Sequence, residues 1–111
     1  MRMQFIDPGG FRNEMSLQQA VTTPDGTGGH DESWNEIATL FAAVEPLAAT
    51  ARFGAAQEHE TVTHRITLRF RDDLQSGMRL VKQGRVFAVV NVHDPDETGR
   101  YLVCRAREEG R

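Results

Sequence analysis

Thr61-Val62-Thr63-His64-Arg65-Ile66-Thr67-Leu68-Arg69-Phe70-Arg71 is the stretch that decides the fold class. Val62, His64, Ile66, Leu68 and Phe70 alternate without a break against Thr61, Thr63, Arg65, Thr67, Arg69 and Arg71. A period of two sends one set to a core and the other to a surface, so residues 61–71 read as a half-buried strand. Downstream, Asp72, Asp73, Ser76 and Gly77 supply a loop, residues 78–83 a short strand, and Gly84-Arg85 a turn. Residues 86–92 are nearly all apolar and β-branched, the composition of a strand covered on both sides. His93-Asp94-Pro95-Asp96-Glu97-Thr98-Gly99 turns the chain into a last strand over residues 100–107, through Tyr101, Val103 and Cys104. Charged residues then trail into solvent as a tail, 108–111.

Upstream the pattern is looser. Residues 1–14 are rich in turn formers (Pro8, Gly9, Gly10, Asn13) and read as an N-terminal arm. Residues 15–23 alternate, with Met15, Leu17, Gln19 and Val21 on one side. Thr23-Pro24-Asp25-Gly26-Thr27-Gly28-Gly29 follows. Pro24 pre-sets a turn and Asp25-Gly26 tolerates positive φ, so a hairpin is expected; the Gly-Lys-Ser/Thr ending of a phosphate-binding loop is missing. Residues 33–47 carry a conflict. Trp34, Ile37, Ala38, Phe41, Val44 and Ala48 fall on a helical stripe, and Ser33 with Glu36 resembles a capping box. The competing reading is a long strand that takes Trp34 and Phe41 into the core and ends at Pro46. Residues 47–59 are Ala-rich and suit a short helix, which Gly54 weakens by about 1 kcal/mol relative to Ala. The sum is mainly β: a small antiparallel β-barrel of about six strands with one short α-helix and long loops, its domain spanning residues 15–107. A barrel also removes the strand edges on which sheets aggregate.

The 111 residues, 39% of them hydrophobic, suit one globular domain with a single modest core. No apolar run approaches the ~18 residues that span a bilayer. Asp7 and Pro8 interrupt the N-terminus before a signal-peptide apolar region develops, so a cytoplasmic protein with no membrane partner is expected. A lone cysteine, Cys104, excludes an internal disulfide and a thiolate zinc site. The net charge of −3 argues against a duplex binder held by phosphates. Its distribution is uneven: residues 1–60 hold three basic and nine acidic side chains, residues 61–111 ten basic and seven acidic. Unless the halves interleave in space, such opposite signs steer docking with a partner or another copy.

The search for reactive groups finds no constellation. His30, His59, His64 and His93 have neither i, i+4 spacing on a helix nor a recognised ligand set, so no metal and no cofactor is expected. His64 reads as half-buried with one satisfied nitrogen, and Cys104 as a small core residue. Ser16, Ser33 and Ser76 lie outside any nucleophile elbow, so no catalytic residue is assigned. Arg65, Arg69 and Arg71 share one strand face and form either an ordinary solvated surface or a contact stripe for an acidic partner or a nucleic-acid backbone.

In their order, several segments carry a resemblance. They are Gly10-Phe11-Arg12, the glycine-rich stretch 23–29 ahead of Trp34, Phe41-Ala42-Ala43-Val44-Glu45-Pro46, and the strand 62–71. Arg79-Leu80, Gly84-Arg85-Val86-Phe87, and Asp94-Pro95-Asp96-Glu97 before Tyr101-Leu102-Val103 complete the series. Together they resemble the phage head-tail adaptor family, also called head-tail joining or head-completion proteins, and particularly its members in gene transfer agents. The resemblance implies a small β-barrel with a short helix and long mobile loops, and it treats residues 34–46 as strand. It also implies a structural role in the neck of a tailed particle, assembled in the bacterial cytoplasm. There a homo-oligomeric ring of six or twelve copies sits between a portal-side adaptor and a tail terminator or tail protein. The ring surrounds a channel for double-stranded DNA and helps to retain it, as a stopper does. On this reading the loops holding Asp25, Gly26, Gly28 and Gly29, and Asp72, Asp73, Ser76 and Gly77, contact partners or gate the channel. Arg65, Arg69 and Arg71 would lie at an interface. The first dozen residues fall outside the resemblance. The competing class is a small nucleic-acid-binding β-barrel using the same arginines.

Overall fold

The computed structural model describes residues 6–48 and 62–110. Six strands follow one another: β1 (Asn13–Pro24), β2 (His30–Pro46), β3 (His64–Arg69), β4 (Arg79–Lys82), β5 (Arg85–His93) and β6 (Tyr101–Glu109). All neighbours are antiparallel, and the order β1-β2-β3-β6-β5-β4 closes on itself as a barrel. Local chemistry sets the connections. Between β4 and β5 only Gln83 and Gly84 intervene, at φ 49° and 82°; two successive positive values make the tight turn whose twist suits a hairpin. The Ala-rich segment expected to be helical lies, from residue 49 onward, outside the described residues.

Alternation places the core. Met15 and Leu17 from β1, Leu40 and Ala42 from β2, Ile66 and Leu68 from β3, Leu80 from β4, Phe87 and Val89 from β5, and Leu102, Cys104 and Ala106 from β6 fill the barrel. Leu74 enters from the β3–β4 loop. The long strand over residues 34–46 is present, so tertiary pairing overrides the helical stripe. Three details depart from the expectations. Phe41 points outward at 54% exposure and Trp34 is only half-buried, because the inward positions of β2 are Ala38, Leu40 and Ala42. Phe70, expected on the core face, is 44% exposed because β3 ends at Arg69 and the period of two ends with it. The β5 strand is not covered on both sides: Phe87 and Val89 are buried, whereas Val86, Ala88 and Val90 are half-buried on the outer face.

The hairpin β1–β2 is much longer than the barrel needs. β1 contacts β4 only through Ser16, Leu17 and Gln18, and β2 contacts β3 only from Ala42 to Pro46. Beyond Gln18 the two strands pair with each other alone, from Gln19 opposite Asn35 to Pro24 opposite His30. Six residues at ~3.3 Å each carry this two-stranded ribbon about 20 Å out from the barrel. The extents of 55 × 33 × 26 Å reflect it. The register slips between Leu17 and Gln18, leaving Ile37 as an extra residue in β2 where the ribbon leaves the barrel. Arg79 secures this base: its guanidinium carbon lies 4.2 Å over the Trp34 ring and its Nε donates to Gln18 Oε1 at 2.7 Å.

Candidate assembly surfaces

The registers bring three connections to one end of the barrel. The ribbon, the β3–β4 loop and the β5–β6 loop all leave from the side where Gln18 meets Arg79 and Arg69 meets Tyr101. Both loops singled out in the sequence are therefore on the same end, one at the tip of the ribbon and the other at its base. At the tip, Asp25 organises the turn. Its Oδ1 accepts from Thr27 N at 2.9 Å, Thr27 Oγ1 at 2.9 Å and Gly29 N at 3.1 Å. The Thr27 bonds hold the Asp25 carboxyl below its ordinary pKa. A Cβ at Gly29 would meet Asp25 Oδ2 at 2.8 Å, so a larger residue there would displace the Asp25 carboxylate. Gly26 and Gly28, with φ of 86° and 91°, shape the rest of the turn.

In the second loop, Asp73 takes both arms of the Arg71 guanidinium, at 2.9 and 2.8 Å. That pairing lowers the Asp73 pKa and raises that of Arg71. Buried Leu74 anchors the loop, Gly77 N donates to Val89 O at 3.1 Å, and Asp72 and Ser76 stay exposed. Of the three arginines, Arg65 and Arg69 share the outer face of β3, whereas Arg71 lies beyond its end. Arg65 lies on the outer face of β3 and donates to Glu45 Oε1 at 2.9 Å. Arg69 is exposed and makes no ion pair among the described residues. Arg71 has left the strand for the loop, yet it lines the same groove as Arg69.

That groove, about 360 Å³ in volume, is walled by Phe11, Phe41 and Phe70, with Arg69 and Arg71 at its rim. Sequence reasoning missed it because β2 is apolar at successive positions, Leu40 through Val44, which hides the parity of Phe41. Pro8 also lines it and belongs to a further unforeseen feature. The segment leading to β1 forms a 3₁₀ turn, Pro8–Gly10, capped by Asp7 accepting from Gly9 N at 2.9 Å. Phe11 then meets Tyr101 edge-on at 5.8 Å, and Ile6 and Gly10 border a second groove with Ala43 and Thr67 of the outer face. Residues 6–11 thus lie along the barrel wall as a strap. Here Thr67, although outward, is buried.

The histidines and the cysteine do structural work. His64 is buried, edge-on to Phe87 at 5.0 Å, with Nδ1 2.8 Å from Thr63 Oγ1 and Nε2 3.9 Å from Glu108 Oε1. Glu108 also receives Arg85 at 2.8 and 3.0 Å, so the barrel end opposite the ribbon closes on a polar network. His30 and His93 are exposed at strand ends, and His59 lies outside the described residues. Among the described residues no three His, Cys, Asp or Glu side chains converge in metal-binding geometry. Burial pushes the Cys104 thiol up to about 12, which keeps it protonated and unreactive near neutral pH.

Among the described residues the barrel thus exposes an acidic ribbon and an aromatic groove with arginines beside it. The chain belongs to the phage head completion protein family, whose model matches residues 6–109. It is 26% identical over 111 residues to head completion protein gp7 of Enterobacteria phage HK97, covering 94% of this chain and 99% of that one. Two solved structures share the fold. A chain from the virion of a native gene transfer agent particle is 28% identical with a TM-score of 0.67, covering 89% of this chain and 94% of that one. The solution structure of protein SF1141 from Shigella flexneri 2a is 26% identical with a TM-score of 0.74, covering 95% and 98%.

Proposed function

We propose that this chain is a structural neck subunit of a tailed phage or gene transfer agent. Copies close into a ring of six or twelve between the portal-side adaptor and the tail, surround the path of double-stranded DNA, and help to keep the packaged genome inside. The observation that carries this reading is the family match over residues 6–109, together with a gene transfer agent virion chain of the same fold. The surface chemistry supports it. Head-to-tail rings need two different faces on each subunit, and here an acid-rich ribbon and an arginine-rimmed groove differ in sign. Assembly takes place in the bacterial cytoplasm, and the subunit works by docking rather than turnover.

Deletion of the gene tests the proposal. Tail-less heads that have lost packaged DNA should accumulate, and expression of the chain in trans should restore complete particles. Complete particles in the deletion strain would overturn the reading. The nucleic-acid-binding alternative is less well supported, because Arg65 is engaged by Glu45 and Arg71 by Asp73. A phosphate binder loses affinity steeply with salt, so titration of free duplex DNA between 50 and 200 mM salt separates the two. The expected outcome is negligible binding throughout.

A further inference from the structure

Between Arg12 and Arg52 the chain contains no lysine or arginine, while Asp25, Asp31, Glu32 and Glu36 all lie on the ribbon or at its base. The ribbon is therefore an acidic projection, with His30 its one titratable nitrogen side chain. Its two outer edges, Gln19 to Pro24 on one side and His30 to Phe41 on the other, have no strand partner among the described residues. Edge-to-edge pairing of two such ribbons would bring like charges together, which opposes association. The ribbon instead calls for a basic, partly apolar seat.

The groove of Phe41 and Phe70 offers one. Phe41 and Phe70 are large exposed aromatics, and Arg69 at the rim has no acid of its own among the described residues. Aromatic side chains and arginine are the residues that dominate protein docking sites, and arginine pairs carboxylates with two parallel bonds. Resting on the neck-ring reading, the geometry points to a specific contact between copies: the acidic ribbon of one subunit lies in the Phe41–Phe70 groove of the next, with Glu32 or Asp31 reaching Arg69. The contact is heterologous, so it propagates around a ring without a free end. Within one chain it is out of reach. Glu32 lies eight strand residues beyond Leu40, which lines the groove, a separation of about 25 Å.

Disulfide trapping in purified particles tests this. Glu32→Cys combined with Phe70→Cys should give, on oxidation, a ladder at multiples of 12.4 kDa, while Glu32→Cys with Gln83→Cys should give none. Buried Cys104 does not compete. Subunit present in particles without a ladder, or trapped to a different protein, overturns the ribbon–groove contact and leaves the neck reading standing. Absence of even the wild-type subunit from particles overturns both. Should the cysteine pair prevent particle formation, charge exchange decides. Arg69→Glu and Glu32→Arg should each cut incorporation about tenfold, and their combination should restore it. Normal incorporation of either single variant, or no recovery in the pair, overturns the inference.

Discussion

Asp96 shows how single residues fix the loops at the ribbon end. Its side chain accepts from Thr98 Oγ1 at 2.7 Å and pairs with Arg100 at 2.8 Å, and these contacts bring its pKa down to about 2 from 3.8. A depressed carboxyl stabilises the fold fully above its unfolded value and loses that contribution as pH falls through the folded one. The β5–β6 loop should therefore keep its conformation down to about pH 4 and loosen towards pH 2, as the Thr98 amide reports in an NMR titration. Asp96→Asn should abolish that transition. In the core, Phe87 is fully buried, so Phe87→Ala should cost about 3–5 kcal/mol in urea denaturation. Its loss would also remove the edge contact that seats the His64 ring.

Among the elements, the long hairpin changes role part of the way along. Inside the barrel β1 and β2 bury Met15, Leu17, Leu40 and Ala42; past the bulge at Ile37 they bury little. The hinge between these regimes is the Arg79–Trp34 stack. Arg79→Ala should release the ribbon with a global loss of only about 1 kcal/mol. Because Trp34 is the sole tryptophan, its fluorescence should shift to the red and become more accessible to quenchers while the denaturation midpoint moves little. This region was also the hardest to read in sequence. Strand β3 is legible within residues 61–71 because only one face is apolar, and the Asp25-Gly26 turn because its residue types tolerate little else. Residues 33–46 have apolar side chains on both parities, so period alone supported either helix or strand. The decision came from pairing with β1 and β3, which is a property of distant segments. The groove was hidden for the same reason, since its walls come from three separate stretches of chain.

At the scale of the whole molecule, closure joins the six strands into a barrel, and among the described residues the longest unpaired strand edges run along the ribbon. Acidic side chains guard those exposed edges against indiscriminate pairing. Isolated subunits should therefore sediment as monomers or weakly associated species at micromolar concentration. On assembly, amides of residues 19–23 should gain hydrogen-exchange protection, because a ribbon seated against a neighbour exchanges less with water. Unchanged protection in free subunit and particle would count against seating of the ribbon.

The absence of lysine and arginine from residues 13–51 has a practical reach of its own. Trypsin cuts after those two residue types, so the most exposed part of this protein offers it no site. Digestion should leave both ribbon strands joined in one fragment, residues 13–52, a mass-spectrometric handle that reports the projection as a unit. The sole lysine, Lys82, sits at the far end of the barrel. A label or tether placed on its amine leaves the acidic projection unobstructed.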